Sequence, residues 1–560
     1  MSFRIAFACL LFVFSACHSG PETPTFKEVF LHDDRKAEGF FHPRLPEDAL
    51  QALDSGWMYL ASDSLPGIDR EWPDRFLEPQ PVSLPHRLPL PNHSLWYRWE
   101  GMLKPGVLLI DADDGVQCWL NGTRIRRAEE GDYFVVPASG KTELGLRVVN
   151  NAMSGGLRQV HFLSQADYLA WQEKRDQIRE GFLADRKMEL LQDPEHLKKC
   201  EELPFPELKE RLAEYPILFT EPVLIWGTAG IPFIRWVSES AGTALLRTEG
   251  GEVLRVASSD GVFTQQVNPG ETFSFDLHQN KSYQGNFSLT APDPSEANIR
   301  MALWGDSQGG WKTFRKIADS IRSKQVDLSI GAGDLVNNGS EAWAYPRFLQ
   351  LLSRMQTPQL LVPGNHDYDG YYDDLQARQL HHYLFLPETP TFAMQVFGPL
   401  AILSLDPNVN FPVSIPEGTR QREWLEKQMQ SEAWQNARWK MLLLHQPPYS
   451  QGWPAYAGEW TIRQLLEPFF HQGLVDLVVA GHTHDYERLS LEFSGNSVHF
   501  LVVGGAGGGL EPQGEQSQAP QMDRLIKKHH YGILQVDSTR MQFNAYDLDG
   551  NTLDEFTAKK

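Results

Sequence analysis

The sequence predicts a multidomain chain: two N-terminal β-sandwiches followed by a C-terminal α/β domain whose layered β-sheets are flanked by helices. Three observations predict it. The 560 residues exceed what one hydrophobic core organises, so the chain divides into several domains. Up to residue 292, apart from one charged stretch, short runs alternate apolar with polar residues, the period of half-buried strands. Beyond it, apolar strands alternate with amphipathic helices in the βαβ rhythm of a layered α/β fold.

Residues 1–17 read as a signal peptide. Arg4 precedes an apolar run from Ile5 to Ala16 that suits a secretion core and is too short to span a bilayer. Phe14-Ser15-Ala16-Cys17 resembles a bacterial lipoprotein cleavage box with Cys17 as the lipidated residue; cleavage nearby with ordinary secretion is the alternative. The expectation is an extracytoplasmic protein, in the periplasm or at an outer membrane or cell surface, that meets membrane only through a lipid anchor. Residues 18–44, polar and Pro-containing, would be its tether. Of four cysteines, Cys9 and Cys17 fall in this leader, leaving Cys118 and Cys200, with Cys118 in an apolar run that suits a buried thiol as well as a disulfide.

Residues 45–164 carry strand patterns at Leu95–Trp99, Val107–Ile110, Val116–Leu120 and Leu144–Val149, with a hairpin turn at Asn121-Gly122. The segments LWYRWEGML, VQCWLNG and LRVVNNAMSGGL resemble the sugar-binding-like jelly roll that accompanies many glycoside hydrolases. That resemblance implies a carbohydrate partner if Trp57, Trp96 and Trp119 are exposed platforms; buried, they are core. Residues 165–215, rich in Glu, Lys and Arg, predict a helical connector with Trp171, Ile178, Phe182 and Leu183 on one face. Residues 216–292 return to alternation, as in Phe233–Val237, Val253–Val256 and Phe273–Leu277, and predict a second, smaller sandwich. The front sandwich, with its own core, is expected to be an accessory module.

From residue 296 to 560 the predicted elements are strands at Arg300–Trp304, Val326–Ile330, Gln359–Val362, Met441–Leu444 and Val475–Ala480, with helices at Trp311–Gln325 and Glu341–Met355. Asp306, Asp334, Asn365, His445 and His482 each fall just past the carboxyl end of one of these strands, where open α/β sheets place their sites. Carboxylate, amide and imidazole groups in that placement suit a pair of metal ions that grip both ends of a phosphoryl group. Imidazole suits zinc, iron or nickel, and carboxylate with amide suits manganese or magnesium, so the donor types leave the metal open. A formal net charge of -21 excludes a nucleic-acid backbone as partner but allows a small phosphorylated substrate, because bound dications reverse the local field.

Gly305-Asp306, Gly333-Asp334, Gly364-Asn365-His366-Asp367, LLLHQPPY from residue 442 and GHTHDYER from residue 481 resemble, in order, the calcineurin-like metallophosphoesterases, nearest the purple acid phosphatase branch. The resemblance covers residues 296–548. It implies that Asp306 and His484 bind one metal, that Asn365, His445 and His482 bind a second, and that Asp334 bridges them. His366 would contact phosphate and protonate the leaving group. By position, residues 216–292 resemble the fibronectin-type domain that precedes the catalytic domain in that branch. Two departures stand out. Asp306 is followed by Ser307 and Gln308 where the wider family has Asp-x-His, leaving Gln308 either a ligand through its amide oxygen or a lining residue. Asn337 stands where the purple branch has its iron-binding tyrosine, which implies two divalent ions, Mn, Zn or Fe, in place of a ferric tyrosinate.

These residues imply a metal-dependent phosphoesterase, acid-phosphatase-like, with a phosphodiesterase or nucleotidase as the alternative. A carbohydrate-binding surface protein that has lost catalysis is the reading from another class. Gly504–Gly509 lacks the Lys-Ser/Thr of a nucleotide loop and resembles the glycine turn at the rim of this family's sites. His381-His382 and His529-His530 are expected at the surface.

Overall fold

The computed structural model describes residues 34–41, 44–64, 78–128, 131–190, 192, 216–228, 230–280, 282–368, 377–510 and 520–560. The signal peptide, the lipoprotein box and Cys200 lie outside these residues, as do residues 193–215 of the predicted connector.

Two antiparallel sheets form the front region. One runs through His93–Leu103, Gly140–Asn150 and Val116–Leu120, the other through Gly155–Ser164 and Gly106–Ala112. Leu95, Tyr97 and Leu146 of the first sheet close on Leu108, Ile110 and Phe162 of the second. Asn121 and Gly122 both take positive φ (50° and 79°), the conformation a tight hairpin demands. Trp57, Trp96 and Trp119 are all buried, so none is a sugar platform and the carbohydrate reading loses its residues. Cys118 is buried in this core.

The α/β region is built on two large sheets. Ile299–Trp304, Leu328–Ala332 and Gln359–Val362 run parallel within a nine-stranded sheet that also contains His530–Val536 and the two last strands. Leu400–Ser404, Trp439–Leu443, Leu477–Ala480 and Asn496–Val503 run parallel in a seven-stranded sheet. Leu303, Ile330 and Val362 of the first meet Leu443, Val479 and Val503 of the second in one core, with helices Trp311–Lys324 and Ala344–Leu352 on the outer face of the first sheet.

Three expectations change. Residues 216–292 are not a free-standing sandwich. Val223–Trp226, Pro232–Val237 and Val262–Gln266 extend the nine-stranded sheet, Ile225 pairing in parallel with Gln359, and only the strands between Gly242 and Thr290 that remain form a separate four-stranded sheet. The reason lies in burial: Val223–Trp226 and Pro232–Val237 are covered on both faces, as interior strands are, whereas a free sandwich exposes one face. Within the expected tether, Asp34–Phe41 is a helix whose Ala37, Phe40 and Phe41 pack with Phe219 and Trp343, because two adjacent phenylalanines are too apolar for a solvated spacer. The connector helix Gln165–Leu190 turns Phe182 and Leu183 to that same core but leaves Ile178 exposed, so the predicted face is narrower than drawn.

Candidate metal centre

Asp306, Asp334, Asn365, His445 and His482 follow the strand ends at Trp304, Ala332, Val362, Leu443 and Ala480, so parallel strands of both sheets deliver them to one point. Five residues here carry positive φ: Asp306 (60°), Gln308 (38°), Asp334 (53°), His482 (82°) and His484 (49°). Each costs on the order of 1 kcal/mol for a residue with a Cβ, and strain of this kind persists only where neighbours over-determine it. They do so here. Asp306 N–H donates to Gly333 O (2.9 Å), Gly508 N–H to Asp306 O (2.7 Å) and Gln308 N–H to Asp334 O (3.1 Å).

The motif glycines are there for proximity. A Cβ on Gly364 would stand 2.1 Å from Asp334 Oδ1, and one on Gly481 would stand 2.4 Å from Asp306 Oδ2, so any side chain displaces a carboxylate.

Two donor groups share one residue. Asp334, His445 and His482 bring ligand atoms within 4.8 Å of one another, and so do Asp306, Asp334 and His484. His445 Nε2 lies 3.1 Å from Asp334 Oδ2 and 3.9 Å from Asp306 Oδ1, and His484 Nε2 lies 3.7 Å from Asp306 Oδ1. The outer nitrogens are fixed by backbone, His445 Nδ1 at Ala332 O and His484 Nδ1 at Gly509 O, each 2.8 Å away. This is the second layer that orients imidazole ligands. His445 Nε2 is buried and lacks an aligned hydrogen bond despite its closeness to Asp334. A polar atom so placed fits a metal ion.

Electrostatics agree with that fit. Burial pushes the Asp306 carboxyl well up, with Asp334 adding to it. Burial acts on Asp334 too, but His445 and His366 outweigh it and hold that carboxyl below its ordinary value. Burial lowers His445, yet Asp334 and Asp306 overcome it and raise the imidazole to about 9. Burial lowers His484 to about 4, leaving it neutral and ready to coordinate. Acids packed this closely call for positive charge between them.

Asn365 sits beside these groups, its Oδ1 accepting from Gln446 Nε2 (3.2 Å), which also reaches Asn408. Gln308 presents Nε2 to Asp334 Oδ2 at 2.7 Å, so as arranged it holds the shared carboxylate through its donor end. His366 stands at the edge, Nε2 3.9 Å from Asp334 Oδ2 and Nδ1 2.7 Å from Asn337 O. Tyr368 is turned away, its hydroxyl donating to Asp406 (2.6 Å). Asp367 lies behind, accepting from Leu335 and Gly364 N–H (3.0 and 2.8 Å). The Gly504–Gly509 turn rims the site, where a Cβ on Gly508 would come within 2.9 Å of Gln308 Oε1. His381 and His382 are at the surface side of their helix, but His530 is buried against Gly505 and Tyr486, contrary to the surface expectation, because that glycine leaves room for a ring.

Sequence reasoning missed a wall of this site. Trp453 and Tyr456 place their rings 4.8 and 5.7 Å from the His482 ring, and Glu459 accepts from Tyr456 (3.0 Å) and Asn151 (3.0 Å). Gln446 was visible inside the HQPPY motif, whereas Asn151 is 331 positions from His482 and carried no local signal.

Residues 299–486 match the calcineurin-like phosphoesterase family. Among curated proteins, purple acid phosphatase 21 of Arabidopsis thaliana is 23% identical over 45% of this chain and 60% of its own length. The 3',5'-cyclic adenosine monophosphate phosphodiesterase CpdA of Escherichia coli is 26% identical over 37% of this chain and 76% of its own. The Fe(3+)-Zn(2+) purple acid phosphatase 12 of Arabidopsis thaliana is 29% identical over 27% and 33%. The chain thus spans 60% of the length of purple acid phosphatase 21. Among solved structures, purple acid phosphatase PPD1 from yellow lupin superposes with a TM-score of 0.50 at 13% identity over 83% of this chain and 92% of that one, a likeness of fold. The sequence match runs across the same strand ends that gather the shared carboxylate and its imidazoles, and this part of the chain is a calcineurin-like metallophosphoesterase domain related to the purple acid phosphatases.

Proposed function

We propose that the protein hydrolyses phosphate monoesters with two divalent ions, Mn, Zn or Fe, held at this centre. The observation that carries it is Asp334, common to both donor groups. Asp306 and His484 would hold one ion, and Asn365, His445 and His482 the other. Bound there, the ions supply the charge that grips attacking and leaving oxygens in an in-line displacement. His366, fixed through Asn337 O and partly open to solvent, is placed to give a proton to the leaving oxygen. Gln308 positions the shared carboxylate. Asn337 stands in place of a tyrosine, Tyr368 gives its hydroxyl to Asp406 and Tyr456 gives its own to Glu459, which supports a colourless pair of dications. The sequence reading of an extracytoplasmic enzyme goes with this proposal and rests on Arg4 and the apolar run Ile5–Ala16, and its lipid anchor on Phe14–Cys17.

A phosphodiesterase activity is the second reading, favoured by the match to CpdA. One experiment separates them: purified protein is assayed against phosphomonoesters, diesters and nucleotides with Mn, Zn, Fe and Mg, alongside a visible spectrum. Monoester turnover lost to chelators, without a charge-transfer band, is expected. Turnover confined to diesters moves the assignment to the second reading, and an intense band in active protein overturns the ligand set.

A further inference from the structure

The front sandwich reaches the metal centre. Asn151, in the turn between strands Gly140–Asn150 and Gly155–Ser164, is buried, and its side-chain amide lies 3.0 Å from Glu459 Oε1 and 3.5 Å from His482 Nε2. The turn itself is pinned. Asn151 N–H donates to Asp114 Oδ2 (2.5 Å), Asn92 N–H donates to Asn151 O (3.1 Å), and Asn150 Nδ2 donates to Leu90 O (2.8 Å). Val149, two residues earlier on the strand Gly140–Asn150, is buried in the same core as Leu403, Phe411 and Tyr449 of the α/β region. A loop braced on both sides holds its side chain to a fixed place, as a group acting on a neighbouring ring requires.

We propose that Asn151 is a positioning residue for the His482 imidazole, so that the front sandwich completes the metal centre of the α/β domain. The inference rests on the two-metal reading above. Trp453, Tyr456 and His445 meet the ring as rings, and among the described residues Asn151 makes the polar contact with its Nε2. With Nε2 engaged, Nδ1 is the nitrogen left for an ion. An imidazole that ligates through Nδ1 carries its proton on Nε2 and is held by an acceptor there. As arranged, Asn151 Nδ2 faces both Glu459 Oε1 and His482 Nε2; a half-turn of the amide brings Oδ1 to the ring and turns Nδ2 away from Glu459, which then meets the amide oxygen through its own carboxyl proton.

The test uses full-length, metal-stripped protein titrated with Zn(II), and separately with Mn(II), by calorimetry. Asn151→Ala should weaken one of two sites about 10- to 100-fold, the usual cost of losing a group that orients a ligand, and spare the other. Asn151→Asp, which keeps an acceptor at the same ring nitrogen, should recover most of that affinity. Asn151→Ser carries the expectation of the alanine variant if that variant does not fold. With an artificial phosphoester the loss should fall on kcat more than on KM. An alanine or serine variant that binds both ions as the wild type does overturns the proposal, as does an aspartate variant as weak as alanine; a drop in melting temperature alone marks a merely structural residue and also overturns it. The titration needs no substrate, so a wild type that binds two ions and hydrolyses nothing refutes the phosphoesterase reading and leaves this one standing.

Discussion

His366 Nε2 lies 3.9 Å from Asp334 Oδ2, yet the two side chains are assigned different work, which makes them separable. Asp334 belongs to both donor groups, so Asp334→Ala should lose activity and metal together. His366 belongs to neither, and His366→Ala should keep its ions while turnover falls about 10²- to 10⁴-fold, the worth of a general acid. Elemental analysis beside steady-state rates decides it, and a His366→Ala enzyme with normal rates removes the role. Glu459 gives a second prediction at this scale. Burial raises its carboxyl from an ordinary 4.5 to about 7. A raised folded-state value means the unfolded chain releases its proton first, so stability is whole below pH 4.5, declines as pH rises and is lost through pH 7. The span is worth about 3 kcal/mol at 1.36 kcal/mol per unit. Glu459→Gln keeps an acceptor for Tyr456 and Asn151 and removes the titration. Urea unfolding should show the variant gaining on the wild type at pH 8 relative to pH 5, and an equal difference at both values would refute the shift.

Strands and the short segments after them were the legible part of the sequence. Ile299–Trp304, Gln359–Val362 and Leu477–Ala480 lie within two residues of their predicted bounds, because buried parallel strands read as unbroken apolar runs bounded by glycine. The donors after them were legible for the same reason: each is set by a local turn. What the sequence hid is pairing at a distance. Nothing in Val223–Trp226 announces that Ile225 pairs with Gln359, since an apolar run suits a sandwich interior and a central sheet equally. Helix Asp34–Phe41 was hidden by its brevity, its order coming from Phe219 and Trp343 and not from its own propensity. The Asn151 contact belongs to the same class, because residues that meet only through tertiary packing leave no spacing to read.

Across the whole molecule, these long-range contacts reverse the expectation that the front sandwich is dispensable. A chain begun at residue 216 would bare the site that Phe40 and Phe41 occupy against Trp343, at about 1.5–3 kcal/mol for each buried ring. It would also lose Val149 from the core and Asn151 from His482. Such losses approach the whole stability of an ordinary domain, about 5–15 kcal/mol. The truncated protein should therefore be insoluble, or soluble with less than its full metal; a soluble form with both ions and wild-type turnover would restore the accessory-module view. The sheet order carries one more consequence. Ile299–Trp304 lies between Leu328–Ala332 and His530–Val536, so one of its neighbours comes from far along the chain. Until that strand pairs, Asp306 follows a strand with one open edge, and the site is unfinished. Closure of the candidate metal centre is thereby tied to the slowest kind of contact in the fold, the pairing of strands far apart in sequence.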